Sequence, residues 1–329
     1  MKSQLLIVDT DPGLDDALAL AVFAGSPEVR LAAACAVGGN VPLAQTAKNL
    51  DGLMRLFGLP DVPVLRGWDP HRGLNAPEVH GGDGLANYAK RLPKISARGL
   101  PSATELERLL PLVPDASVHL LTLGPLTNLA RLLQRAPRLL KRKLKSVTVM
   151  GGGLTDPGNV APLIEFNVAC DPRACDEVLC AGLPLRIVPL DVTHRVTLSN
   201  AHAAQLARKG TPAGRALAHF IRGLVKFQDY IGPSARDGLF ASGKKGGYGI
   251  VHDALAACAV LRPDFFTWES LPLRVETRGE FTAGQLLSDR RPGRHRASKW
   301  PCSRVAVDVQ VKAARAWIMA RMLALASSK

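Results

Sequence analysis

Along the chain, short and nearly continuous apolar runs alternate with longer amphipathic stretches. The runs "QLLIVD" (4–9), "RLAAACAVGG" (30–39), "SVHLLTLG" (117–124), "SVTVMGGG" (146–153) and "LRIVPLD" (185–191) have the aliphatic content of buried strands and close on Gly or Asp. Between and after them the spacing predicts helices over 14–24, 43–57, 102–110, 126–134 and 171–180. This alternation predicts an α/β fold, an open and mostly parallel sheet flanked by helices on both faces. The segment 197–229 reads as mainly helical, 231–250 as a mobile loop rich in Gly and Lys, and another helix opens at "HDALAACAVL" (252–261). No internal repeat or linker interrupts the pattern, so one domain is expected.

In sheets of this kind the ligand lies beyond the carboxyl ends of the strands. The unusual polar residues follow that rule: Asp9 and Asp11 come after the first run, Asn40 after the second, and Asn159 to Asn167 after "SVTVMGGG". The densest stretch is "DTDPGLDDALAL" (9–20), with aspartates at 9, 11, 15 and 16. A helix N-terminus favours each acid in its first turn by only ~0.3–1 kcal/mol. Two unit charges 4 Å apart repel by roughly 4 kcal/mol at an effective dielectric of about 20. Capping therefore cannot settle the quartet; either protons or a cation must. Oxygen ligands suit Ca²⁺ or Mg²⁺, but the spacing is not that of an EF-hand: Gly13 comes one place early and Leu20 stands where the closing Glu belongs. Asp9-Thr10-Asp11 after an apolar strand also resembles the opening of haloacid-dehalogenase-type phosphatases. That reading leaves Asp15 and Asp16 without work, and "VMGGGLTDPGN" supplies only Asp156 of the later acidic pair it needs.

Composition narrows the setting. The 329 residues are ample for a large buried core, and no apolar stretch reaches membrane-spanning length. The N-terminus lacks the apolar centre of a secretory signal. Six cysteines without metal-type pairing imply reduced thiols and a cytoplasmic location, with Cys170, Cys175 and Cys180 expected as buried or incidental thiols. The formal charge of +14 concentrates in tracts at 138–145 and 289–300 that lack interleaved aromatics. They read as solvated basic surface, and no nucleic-acid or membrane partner is expected.

Taken whole, "DTDPGLDDALAL" resembles the signature of the inosine–uridine-type nucleoside hydrolases. Further matches to that family follow in order: "AVGGN" (36–40), "VHGGDGL" (79–85), "LTLGPLTNLA" (121–130), "VMGGG" with "GNVAPLIEFNVACDP" (158–172), "PLDVTH" (189–194) and "VHDALA" (251–256). The resemblance covers residues 4 to 310 or so. It implies Ca²⁺-dependent hydrolysis of the N-glycosidic bond of a ribonucleoside (inosine, uridine or cytidine) in a homodimer or homotetramer. The transition state it implies is close to a ribosyl oxocarbenium ion.

By the same resemblance, Asp11, Asp16, Asp253 and the main-chain carbonyl of Leu123 hold the Ca²⁺, and Asp11 takes the proton of the attacking water. Asp15, with Asn159, Glu165 and Asn167, grips the ribose hydroxyls, and Asn40 supports a carboxylate or a sugar hydroxyl. His252 assists the leaving base, His80 lines the pocket, and Asp9 orients its neighbours. The two histidines match the His-containing branch of the family. Trp68, Trp268, Trp300 and Trp317 fall at no position that would stack a base. Tyr230 and the helix before it, "LVKFQDYIG", are placed to close over the nucleobase, but packing is the commoner role of such residues and they carry no catalytic assignment. A protein of the same fold that binds nucleosides without turnover would be expected to have lost one of these polar residues, and none is missing.

Overall fold

Strand β1 (Gln4–Thr10) is apolar on both faces because both are covered: Leu6 and Val8 enter one core, Leu5 and Ile7 the other. The computed structural model describes residues 3–93, 100–231, 247–291 and 299–328. Helix α1 (Leu14–Ala24) leads to β2 (Val29–Ala36), α2 (Leu43–Leu56), β3 (Val64–Arg66) and the short α3 (Pro77–His80) and α4 (Leu106–Leu109). There follow β4 (Val118–Thr122), α5 (Thr127–Arg135), α6 (Pro137–Lys143), β5 (Leu144–Met150), α7 (Phe166–Cys170), α8 (Pro172–Cys180), β6 (Leu185–Val188) and α9 (Leu190–Thr193). The rest comprises β7 (Thr197–Ser199), α10 (Asn200–Ala207), α11 (Pro212–Tyr230), β8 (Tyr248–Ile250), α12 (His252–Leu261), β9 (Phe266–Val275), β10 (Leu286–Ser288), β11 (Cys302–Val309) and α13 (Val311–Ser327).

The main sheet runs β10-β9-β11-β6-β5-β4-β1-β2-β3, with β7 and β8 pairing separately. From β11 to β3 neighbouring strands are parallel; β9 and β10 extend that edge antiparallel. The expected α/β architecture is thus present, with an antiparallel margin that the apolar pattern did not reveal. The chain builds outward from β1 to β3, then restarts at β4 on the other side of β1. At such a reversal the connections diverge and leave a crevice at the carboxyl ends of β1 and β4.

Helices α1, α11, α12 and α13 pack on one face of the sheet, α5 and α8 on the other. Ala17, Ala19 and Ala21 of α1 and Ala254, Ala256 and Ala257 of α12 have no solvent exposure. Such small side chains let the two helices approach closely enough to bring their N-termini together.

Several expected boundaries move for local reasons. The helix expected over 102–110 is a 3₁₀ turn (Ala103–Glu105), one α turn and a second 3₁₀ turn (Leu110–Leu112), because Pro111 has no N–H to continue it. The run 185–191 stops as a strand at Val188, before Pro189, and Leu190–Thr193 turns helical. The run 30–39 leaves the sheet after Ala36, at the glycine pair. The basic tract 138–145 is not simply solvated surface. It contains the end of α6, where Lys143 is buried and donates to the Val113 carbonyl at 2.6 Å beside Asp115 at 2.8 Å. Residues 292–298 of the other tract, and 232–246 of the expected loop, lie outside the described residues; Tyr248–Ile250 of that loop is strand β8. Cys170 and Cys175 are buried and Cys180 is exposed.

Gly25, which follows α1, lies against the main chain of α13, where a Cβ would overlap the Arg321 carbonyl oxygen. Backbone cannot yield as a side-chain tip can. Gly25→Ala should therefore destabilise the protein by about 1–3 kcal/mol in urea unfolding. No loss would mean that α13 is not seated on α1 as described.

Candidate active site

The crevice between β1 and β4 opens into a cavity of about 400 Å³. Its lining includes Asp15, Asn40, His80, Leu123, Asn159, Glu165, Asn167, His252 and Asp253, residues scattered over more than 230 positions of sequence. Asp11 and Asp16 lie just behind this surface, 1% and 0% exposed.

The carboxylates form its floor. Asp15 and Asp16 sit in the first turn of α1 and Asp253 in the first turn of α12, so two helix N-termini converge on one place. Asp15, Asp16 and Asp253 each present an atom within 4.8 Å of the others. Asp16 is held most completely: Oδ1 accepts from Thr10 Oγ1 at 2.5 Å, and Oδ2 accepts from Gly13 N at 2.9 Å and Asn40 Nδ2 at 3.1 Å. Asp11 Oδ2 accepts from Asn40 N at 2.8 Å, whereas its buried Oδ1 has no hydrogen-bond partner. Three glycines make room for this packing. A Cβ at Gly39 would overlap Asp11 Oδ2, one at Gly124 would stand 2.5 Å from Asp11 Oδ1, and one at Gly13 would meet Asn40 and His80 at 2.7 Å. The glycines of "DPG", "AVGGN" and "LTLG" thus enclose a carboxylate cradle.

Burial raises every one of these acids, and repulsion from neighbouring carboxylates adds to it for Asp11, Asp15 and Asp253. Asp11 lies well above the usual carboxylate range through burial and then Asp16; Asp253 does so through burial and then Asp15, Asp16 and Asp11. Asp15 is pushed up to about 7 by burial and Asp16, and Asp16 itself is raised by burial. A buried, all-oxygen donor set with an orphaned Asp11 oxygen fits a hard divalent cation. Of the expected set, Asp16 and Asp253 fall in one cluster, which Asp15 completes, while Asp11 lies beside it and is joined to Asp16 through Asn40. The Leu123 carbonyl accepts from Asn167 Nδ2 at 2.7 Å, which leaves a second lone pair.

Opposite the floor, the β5–α7 connection supplies the polar string. Glu165 caps α7: its Oε1 accepts from Asn167 N at 2.9 Å, and its Oε2 from Gly152 N at 2.9 Å and Val168 N at 3.1 Å. Asn167 ties the ends of β4 and β5 together through Leu123 O and Met150 O at 3.2 Å. Asn159 is exposed at the rim, where Oδ1 accepts from Phe166 N at 2.8 Å.

Imidazoles and apolar side chains make the remaining wall. His80 Nδ1 accepts the Leu14 N–H at 3.1 Å, which places its own proton on Nε2, and burial lowers this group to about 3. His252 is also lowered to about 3, by burial and then by His194 and His80, and its Nδ1 lies 2.8 Å from Thr193 Oγ1. His194 lines the cavity as well, with its ring edge-on to His252 at a centroid distance of 5.6 Å. His194 closes the motif "PLDVTH", which by itself gives no sign that the ring reaches the cavity. Helix α11 reaches the cavity through Leu224, Phe227 and Gln228. Tyr230 is 83% exposed and turned away, because it lies on the helix face opposite the packed residues. Asp9, expected to orient its neighbours, instead projects to the other face of the sheet among Ile7, Cys35, Leu120 and Leu129. Strand alternation dictates that direction, and burial pushes its carboxyl up to about 8.

Residues 6–316 match the family described as inosine-uridine preferring nucleoside hydrolase. The non-specific ribonucleoside hydrolase RihC of Escherichia coli is 32% identical over 328 residues, 98% of this chain and 99% of its own. An uncharacterized protein of Schizosaccharomyces pombe is 30% identical over 86% of this chain and 88% of its own. Among solved structures, the purine-preferring ribonucleoside hydrolase from Gardnerella vaginalis superimposes with a TM-score of 0.86 at 27% identity, covering 98% of this chain and 99% of that one. The plant nucleoside hydrolase PpNRh1 does so with a TM-score of 0.85 at 27% identity, covering 97% and 98%.

The raised carboxylates carry a consequence for stability. With folded values near 7 and 8 for Asp15 and Asp9, against about 4 in an unfolded chain, the folded state binds more protons across that window. Metal-free protein should therefore lose stability as pH rises from about 4 to about 8. A divalent cation should raise the melting temperature more at pH 8 than at pH 5, because only ionised carboxylates bind it. Calorimetry with chelator and with added Ca²⁺ checks both; a metal-free protein that gains stability over that range would contradict the assignment.

Proposed function

The chain belongs to the inosine-uridine preferring nucleoside hydrolase family, and on that premise we propose that it hydrolyses the N-glycosidic bond of ribonucleosides to ribose and free base, with inosine, uridine and cytidine as substrates. The observation that carries the reading is the buried cluster of Asp15, Asp16 and Asp253 with the orphaned Asp11 oxygen beside it. It adjoins a cavity that is also lined by the polar side chains of Asn159, Glu165 and Asn167.

Asp11, Asp16, Asp253 and the Leu123 carbonyl would hold a Ca²⁺ ion. When bound, that ion supplies Lewis acidity that makes a coordinated water easier to deprotonate. Asp11 accepts the proton of the attacking water. Asp15 accepts hydrogen bonds from the ribose hydroxyls, Asn159, Glu165 and Asn167 close on the sugar from the opposite side, and Asn40 fixes Asp11 and Asp16 in place. A carboxylate floor that outweighs one divalent charge favours a sugar developing positive charge over the neutral ground state, which is the differential stabilisation that catalysis requires. Protonation of the departing base falls to the imidazole wall of His80, His194 and His252.

Release of reducing sugar from inosine, uridine and cytidine by Ca²⁺-loaded protein tests the proposal. Chelator should abolish the release, and Asp11→Ala should lower kcat by at least about 1,000-fold. Binding of these nucleosides without any sugar release would overturn hydrolysis in favour of a binding protein. Undiminished turnover in chelator would overturn the cation.

A further inference from the structure

Side chains alternate across β1, and the alternation separates the members of Asp9-Thr10-Asp11. Asp9 points into the core that holds Ile7, and Asp11 follows the end of the strand. Thr10 points to the face of Leu6 and Val8, which α1 covers, and it has no solvent exposure. Its hydroxyl donates to Asp16 Oδ1 at 2.5 Å, six residues ahead in the first turn of α1. Among the described residues no other side chain of β1 donates a hydrogen bond to the carboxylate floor. The other donors to Asp16 act differently. Gly13 caps α1, so its N–H, at 2.9 Å, fixes the carboxylate relative to its own helix only. Asn40 Nδ2, at 3.1 Å, is shared with the Asp11 carbonyl. Thr10 alone ties Asp16 directly to the sheet. The same strand continues into Asp11, and β4, paired with β1 as far as Asp9 and Thr122, runs on into Leu123. One hydroxyl thus relates a carboxylate borne by a helix to the oxygens borne by two strands.

We propose that Thr10 is a positioning residue for the cation site, whose hydroxyl holds the Asp16 carboxylate in its ligating orientation toward Asp11 and the Leu123 carbonyl and so sets cation affinity. This rests on the cation reading above and deepens it. A carboxylate that is already fixed loses less freedom when an ion enters than one that must first be turned into place. Hydrogen bonds to ligating groups act in this way and contribute to affinity without touching the metal. The Thr10 bond takes one lone pair of Oδ1, and the second remains for an ion. Threonine suits the task because its β-branch restricts χ1 on a strand, which aims the hydroxyl before any ligand arrives. Valine would fill the same space without a donor, and serine would donate without the methyl group.

Calorimetric titration of the metal-free protein with Ca²⁺ tests this without recourse to turnover. Thr10→Val should weaken Ca²⁺ binding by about 10- to 100-fold, and Thr10→Ser by less than about threefold. At saturating Ca²⁺, kcat of Thr10→Val on inosine should return to within about fivefold of the wild type, because the hydroxyl acts through Asp16 and not on the substrate. Equal Ca²⁺ affinity in Thr10→Val and the wild type overturns the assignment. So does a Thr10→Ser protein as weak as Thr10→Val, which would place the effect in the packing of the methyl group. Melting temperatures in chelator report whether each variant folds. If Thr10→Val does not, Thr10→Ala, which also lacks the hydroxyl, carries the same comparison with Thr10→Ser. A wild-type protein that binds no Ca²⁺ overturns the cation reading itself, and one that binds Ca²⁺ but releases no sugar overturns hydrolysis while the binding comparison still decides the role of Thr10.

Discussion

The site depends on a single electrostatic constraint, the confinement of four carboxylates in a volume from which water has been excluded. Each burial raises the free energy of the ionised form, and each neighbour raises it again. Among the described residues no Lys or Arg pairs with Asp11, Asp15, Asp16 or Asp253. What the fold supplies instead is dipoles. The N-termini of α1 and α12, the Gly13 and Asn40 amides and the Thr10 hydroxyl all aim positive ends at the cluster. Such groups orient carboxylates and soften the repulsion without cancelling it. The remaining deficit is what makes the cradle an appetite for a cation rather than a fold defect.

The neighbouring architecture follows from that need. Carboxylates from the end of β1, the start of α1 and the start of α12 can meet only if both helices descend into the crevice side by side. Small buried alanines on both helices accommodate their packing, and glycines at 13, 39 and 124 remove the side chains that would otherwise occupy the cradle. The parallel β1–β4 pair then sets its depth, with Leu123 N donating to Asp9 O at 2.8 Å where the two strands end. Larger residues at these positions would separate the acids and weaken the field that the site exploits.

How much of this is legible in sequence follows from range. Strands β1, β2, β4, β5 and β6 and helices α1, α2, α5, α8 and α12 were readable because buried strands are continuous apolar runs and the helices keep a helical apolar spacing, whereas β3 is only three residues long. Asp11, Asp15 and Asp16 were readable because they share one short motif. The margin β9–β10–β11 was not: "FTWESLPLRV" mixes exposed Glu269 and Ser270 with buried Leu271 and Leu273, so neither alternation nor a continuous run marks it as a strand. The direction of Asp9 was hidden by its company. Adjacent to the metal-side acids in sequence, it is sent to the opposite core by the pleat. His194 carries no local signal, because its partner Asp156 lies thirty-eight residues away and no spacing rule joins a turn after β5 to a helix after β6.

Topology explains how the polar groups are distributed around the cavity. The end of β1 and the starts of α1 and α12 bring Asp11, Asp15, Asp16 and Asp253 to the floor, and the end of β4 brings the Leu123 carbonyl. The imidazoles come from three separate places: His80 from α3, His194 from the residue after α9, and His252 from the start of α12. The β5–α7 connection adds Asn159, Glu165 and Asn167. Because His252 and Asp253 are consecutive, the seating of α12 against α1 sets one imidazole and one carboxylate together. Any change that shifted that helix would move both, whereas the groups carried by β4 and β5 would stay in place.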